Sequence, residues 1–157
     1  MKYEIKEFDT RYFAGIEHPN GVDISLKQMD LQKTWTELFK VHPEKIENKV
    51  EPNNFIGLEC YPPDFMDEKV FDYYAMVQTK ELVHGIDGIV TKKLPKGKYI
   101  QFEIGFGNLK EEIQKVYRYV KDNQMKINNG FDFEQYIDGQ DYSNSDAILL
   151  FCFLLIE

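Results

Sequence analysis

Two short segments of this chain place a carboxylate two residues before a tyrosine: Gly57-Leu58-Glu59-Cys60-Tyr61 and Phe133-Glu134-Gln135-Tyr136. Both lie in apolar runs that read as strands, where residues i and i+2 point to the same face. Glu59 therefore shares a face with Tyr61, and Glu134 with Tyr136. A carboxylate among rings on a strand that also packs a core is costly to bury without a partner. A bound cation is one such partner. Alternatively, burial raises the carboxyl pKa and equips it as a general base toward water. The pattern occurs twice, in what read as two halves of one fold, and so points to a cleft between them.

Other aromatic residues are candidates for the walls of that cleft. Tyr136, Tyr61, Tyr74 and Tyr99 lie on predicted strands. A ring face attracts a cation by about 0.5–2 kcal/mol; ordinary half-buried sheet packing is the rival role for each. Alternation sets Tyr99 opposite Phe102, so only one of that pair faces the cleft. Trp35 falls on a helical stripe, where core packing is the better reading, with the ring closing one end of the groove. Glu59 is the mate of Glu134, set against a plainer role as a surface carboxylate near Pro62. Gly105-Phe106-Gly107 lacks the glycine spacing and the Lys-Ser/Thr of a phosphate loop. No Ser-His-Asp or Cys-His set is visible. His18, His42 and His84 lie apart without metal-ligand spacing, so neither a metal nor a cofactor is expected.

Composition narrows the classes. At 157 residues the chain is expected to form one domain, 1–157, with a sizeable core. Ten Tyr, twelve Phe and one Trp exceed what packing alone asks for. The formal charge of −8 offers no basic stripe for a phosphate backbone, which disfavours direct nucleic-acid binding and mildly favours cationic ligands. The first residues carry charges throughout, and the longest apolar run, Ala147 to Ile156, is half a membrane span. A cytoplasmic location without membrane insertion is expected. Cys60 and Cys152 read as buried thiols on strands, with a disulfide between them left open.

The elements that must position these residues follow from periodicity. Residues 3–18 read as one bent strand. Ser25 and Gln28 have capping-box spacing, and Leu31, Trp35, Leu38 and Phe39 recur at helical intervals up to His42-Pro43, before which the helix should stop. Residues 55–61 and 70–79 read as strands. The second half repeats the order: a strand over 98–106 after an extra one at 89–94, a helix capped by Asn108, and strands over 131–137 and 147–156. The last is apolar on both faces, as a covered central strand would be. The fold class expected is α+β: a duplicated strand–helix–strand–strand module (about 1–80 and 89–157), an antiparallel sheet, two helices, and a cleft on the pseudo-twofold axis.

Several segments together resemble the GyrI-like small-molecule-binding superfamily, also called the AraC-type or bacterial transcription activator effector-binding domain. They are Trp35 with Phe39, Gly57-Leu58-Glu59-Cys60-Tyr61-Pro62-Pro63, Val70-Phe71-Asp72-Tyr73-Tyr74-Ala75, Leu94-Pro95-Lys96-Gly97-Lys98-Tyr99-Ile100-Gln101-Phe102, the helix from Leu109, Phe133-Glu134-Gln135-Tyr136, and the final apolar strand. The resemblance implies two modules around a pseudo-twofold axis with a ligand groove between them. In the family's multidrug-binding transcription regulators a glutamate at the position of Glu134 faces lipophilic cations, and the resemblance favours Tyr99 as a wall residue. Regulators of this kind carry a helix-turn-helix domain, which these residues lack, and the last strand lacks the proline that many members show near its end. The function expected is binding, for sensing or sequestration, of a small hydrophobic molecule, cationic or electrophilic. The alternatives are hydrolysis of small electrophiles with Glu134 as general base, and a protein-interaction role such as gyrase inhibition.

Overall fold

A computed structural model describes residues 1–25 and 30–156. Among these residues the elements run β1 (Tyr3–Phe8), β2 (Arg11–Glu17), β3 (Val22–Asp23), α1 (Gln32–Lys45), β4 (Phe55–Cys60), α2 (Phe65–Glu68), β5 (Val70–Thr79), β6 (Val90–Leu94), β7 (Gly97–Gly105), α3 (Leu109–Asp122), β8 (Phe131–Tyr136) and β9 (Ile148–Leu154). The strands form an antiparallel sheet in the order β1-β7-β9-β8-β4-β5-β2-β6, with the short β3 beside β5. The fold is α+β. Around the central β8–β4 pair the order is mirrored: β7-β9-β8 on one side, β4-β5-β2 on the other.

β9 consists of Ile-Leu-Leu-Phe-Cys-Phe-Leu and lies between β7 and β8. Side chains pack on both of its faces, which is why it carries no polar alternation. On one face, Phe102, Phe151 and Phe153 meet Val116 and Val120 of α3. Further along, Ala14, Ala75 and Val77 meet Leu38 and Trp35 of α1. On the reverse face, Phe13, Leu58, Tyr74, Tyr99, Phe133 and Cys152 share a cluster to which the outer strands add Phe8 and Leu94. The sheet therefore curls so that both of its ends serve that core. Arg11 is buried there at 7% exposure. Its guanidinium lies 3.8 Å from the Phe8 ring centroid, 4.9 Å from Tyr99 and 5.6 Å from Phe133. Its Nε and Nη2 have no hydrogen-bond partner among the described residues. Both cysteines are free thiols, and burial pushes Cys152 up to about 12.

Four expectations need correction. Residues 3–18 form two strands, parted at Asp9-Thr10, which go to opposite ends of the sheet: β1 pairs with β7, and β2 lies between β5 and β6. Local alternation carries no information about which partner a strand chooses. Helix α1 continues through Pro43 to Lys45. Proline so near a C-terminus removes only a late hydrogen bond, and Lys49 Nζ bonds the carbonyls of His42 and Ile46 at 2.6 Å each. Asn108 precedes α3 but makes no side-chain cap, because its backbone (φ −126°, ψ 48°) departs from extended cap geometry. The helix α2, between Pro63 and Val70, adds a third helix where two were expected. Gln28, one half of the expected capping box, lies outside the described residues.

Candidate functional site

Strand register assembles the site. β4 and β8 run antiparallel with Glu59 opposite Asp132 and Gly57 opposite Glu134. On the other side of β4, Glu59 stands opposite Tyr73. Phe151 of β9 is the other neighbour of Glu134. Residues paired across an antiparallel sheet share a face, so Glu59, Asp132, Glu134, Tyr73 and Phe151 all project toward the helix-bearing side. Gly57 leaves the space in which Tyr73 lies: a Cβ there would stand 2.3 Å from the Tyr73 hydroxyl and 3.3 Å from Glu134 Oε2.

These side chains bond to one another. Tyr61 Oη lies 2.8 Å from Glu59 Oε2 and 2.8 Å from Asp132 Oδ2. Tyr117, from α3, also donates to Asp132 Oδ2. Tyr136 Oη donates to Glu134 Oε2 at 3.0 Å. Behind this row, Trp35 Nε1 donates to Tyr73 Oη at 3.0 Å, and its ring meets Tyr136 edge-on at 5.1 Å. Asp132 and Glu134 are 1% and 4% exposed. None of the ion pairs among the described residues involves Glu59, Asp132 or Glu134.

Burial without a basic partner dictates the protonation. Desolvation raises Asp132 to about 6 and Glu134 to about 7. It raises Glu59 well above the usual carboxylate range, with Asp132 and Glu134 adding repulsion. Carboxyl groups this close cannot all ionise and share protons instead. Burial likewise pushes the phenols of Tyr61, Tyr117 and Tyr136 up, so they remain hydrogen-bond donors.

The three carboxyls line a cavity of about 940 Å³. Tyr61, Phe65 and Phe71 form one wall and Leu109, Ile113 and Tyr117 another, with Phe153 between. Tyr61 and Phe65 meet edge-on at 4.9 Å, and Tyr117 and Phe153 at 5.4 Å. The site is thus an aromatic cleft with carboxyls on its floor and can neutralise a positive charge while enclosing an apolar body.

The expected site residues divide three ways. Glu134, Glu59 and Tyr61 line the cavity. Trp35 and Tyr136 stand one layer behind it, bonded to Tyr73 and Glu134. Tyr74 and Tyr99 require correction, since both point to the reverse face. Tyr74 packs beside Leu58, with the Lys92 ammonium 4.5 Å from its ring. Tyr99 is fully buried with its hydroxyl on the Pro95 carbonyl at 2.7 Å. Strand parity decides both: Tyr73, not Tyr74, is opposite Glu59, and Phe102, not Tyr99, shares the row of Phe151 and Glu134. Asp132, Tyr73 and Tyr117 escaped the sequence analysis. Asp132 obeys the same alternation as Glu134 and Tyr136, and Tyr117 lies four residues after Ile113, on the face α3 turns to the cleft.

Residues 4–150 match the family model described as Cass2, integron-associated effector binding protein. No curated protein sequence matches the chain. Solved structures similar to it include SAV2435 bound to tetraphenylphosphonium, at 17% identity and a TM-score of 0.75, covering 99% of this chain and 94% of that one. The integron cassette protein from the mobile metagenome of Vibrio cholerae is similar at 17% identity and a TM-score of 0.63, over 98% and 95%. The EcmrR C-terminal domain is similar at 14% identity and a TM-score of 0.67, over 99% and 97%. At these identities the likeness establishes a shared fold.

Proposed function

Because the chain belongs to the Cass2 family of integron-associated effector binding proteins, whose members bind small molecules, we propose that its effector is a hydrophobic cation seated in the aromatic cleft over Glu59, Asp132 and Glu134. One observation carries this: three carboxyls on the floor of a cavity of about 940 Å³, Asp132 and Glu134 buried and Glu59 half-buried, none in an ion pair among the described residues. Such a floor is costly when ionised and empty, and a cation relieves that cost. The rings of Tyr61, Phe65, Phe71 and Tyr117 enclose the apolar part of the ligand and add attraction to its charge, each by about 0.5–2 kcal/mol. Binding ends in sensing or sequestration. Tetraphenylphosphonium, bound to the structurally similar SAV2435, is of this chemical class.

The test is a fluorescence titration with tetraphenylphosphonium and a neutral aromatic of equal size. Trp35 is the sole tryptophan and touches the network behind Glu134. Saturable quenching by the cation, weakened at least tenfold (about 1.4 kcal/mol) in Glu134→Gln, is the expected result. Equal affinity for the neutral compound, or an unchanged Glu134→Gln, refutes the anchor.

A further inference from the structure

Asp132 narrows the kind of cation, given the cation reading above, on which this step rests. Its side chain is 1% exposed yet forms part of the cleft wall. Its two oxygens are served unequally. Both neighbouring hydroxyls, Tyr61 and Tyr117, converge on Oδ2. Oδ1 is buried with no hydrogen-bond partner among the described residues. A buried acceptor left without a donor is rare in folded proteins and marks a group awaiting one.

The proton inventory leads to the same place. Tyr61 carries a single hydroxyl proton, although its oxygen lies at hydrogen-bonding distance from both Glu59 and Asp132. The Tyr136 proton is committed to Glu134. Burial holds a proton on Glu59, but no hydrogen bond among the described residues carries a proton from it to Asp132 Oδ1. Three carboxyl groups thus face more acceptor sites than the surrounding hydroxyls can fill. The cleft's amide and ammonium groups, on Lys110, Gln114, Asn128 and Asn129, line it without bonding Asp132 Oδ1, so among the described residues the floor at Asp132 is short of donors.

We propose that the cleft selects a protonated amine, a cation carrying at least one N–H, over a quaternary cation of the same size, with the N–H donating to Asp132 Oδ1. The sign of this preference is diagnostic. A quaternary ammonium is weakly hydrated and sheds its water easily, so a site made only of rings and charge favours it. A tertiary ammonium leaves a hydrogen-bonded water behind and regains that bond only where an acceptor is fixed in place. Preference for the N–H form therefore reports an aimed acceptor, and Asp132 supplies it between Tyr61 on one wall and Tyr117 on the other.

The experiment is calorimetric titration at neutral pH with the naphthylmethyl dimethylammonium and naphthylmethyl trimethylammonium ions, which differ by one N-methyl group. The parent should bind the dimethyl ion about tenfold tighter, and Asp132→Asn should bring the ratio near one. Equal affinities in the parent, or tighter binding of the trimethyl ion, overturn the preference while leaving the cation reading intact. A high ratio that survives in Asp132→Asn overturns the assignment to Asp132. If Asp132→Asn does not fold, the parent ratio decides alone. Failure of both ions and of tetraphenylphosphonium to bind removes the cation reading and this inference with it.

Discussion

Glu134 and Asp132 are stored in the fold nearer to their neutral form than carboxyls in water, and this gives the molecule a pH signature. Their pKa values rise from 4.5 and 3.8 to about 7 and about 6, chiefly by desolvation. A group that holds its proton more tightly when folded stabilises the protein below its unfolded pKa, and that contribution is lost as pH rises through the folded value. The ligand-free protein should therefore lose stability between about pH 5 and about pH 8, by an amount on the order of 2–3 kcal/mol from Glu134 alone. Urea midpoints across this range would show it, and Glu134→Gln should flatten the slope. A profile that is level or rises in the parent excludes buried, unpaired carboxyls. Cation affinity should climb over the same window, because the anion is the binding form. The Glu-x-Tyr spacing was sufficient to nominate Glu59, Tyr61, Glu134 and Tyr136 as neighbours, since i and i+2 share a face wherever a strand lies. It did not distinguish Tyr73 from Tyr74: β5 is buried on both faces, so both positions are aromatic and only the partner strand sets parity. Asp132 lies inside the predicted strand 131–137 and shares the face of Glu134, but no tyrosine stands two residues after it, so the Glu-x-Tyr pattern does not single it out.

At the scale of elements, α1 is joined to the site by one hydrogen bond, from Trp35 to Tyr73, and Tyr73 lies in the space left by Gly57. Gly57→Ala puts a methyl against that hydroxyl and should displace the ring. We expect a loss of about 1–3 kcal/mol, typical of overpacking, with a shift in the emission of Trp35. The same substitution in a Tyr73→Phe background should be much milder, because the nearest clashing atom is gone. Thermal unfolding of the single and double variants tests the coupling; additive losses would mean that Gly57 and Tyr73 do not communicate. Element positions were largely legible in the sequence, since β5, β7, β8, β9 and α3 follow clear periodicities. Three features were not. The break at Asp9-Thr10 separates strands whose partners lie far away in sequence, Pro43 is accommodated because it falls in the last turn, where it removes only one late hydrogen bond, and α2 is a single turn too short to show a period.

For the whole molecule, the mirrored order β7-β9-β8 and β4-β5-β2 brings the first strand after each long helix to the middle of the sheet. Two modules near 1–80 and 89–157 remain a proposal, since β1 pairs with β7 of the second half and β6 with β2 of the first. The mirrored order also makes the cleft floor part of the central β4–β8 ladder, so occupancy of the cleft acts on global stability. A cation at a hundred times its dissociation constant should add about 2.7 kcal/mol. For a chain of this length that corresponds to a rise in Tm of roughly 5–10 °C, larger at neutral than at acid pH. Thermal shift against ligand concentration at two pH values measures it, and a Tm indifferent to ligand at such concentrations would mean that the cation does not bind the folded protein.

The reverse face of the sheet already contains a captive cation. Arg11 sits among Phe8, Tyr99 and Phe133 and takes part in no ion pair among the described residues. If the proposed function holds, two solutions to housing positive charge stand back to back within one protein: a cage of π-faces for a guanidinium built into the chain, and a carboxyl-floored cleft for a visitor. The cage holds its guest permanently and leaves two of its nitrogens unanswered. On the proposed reading the cleft must release its guest, and its proton-sharing carboxyls would provide the means: reprotonation would close the site to charge again, so the acid–base state of the floor would serve as the exit as well as the lock.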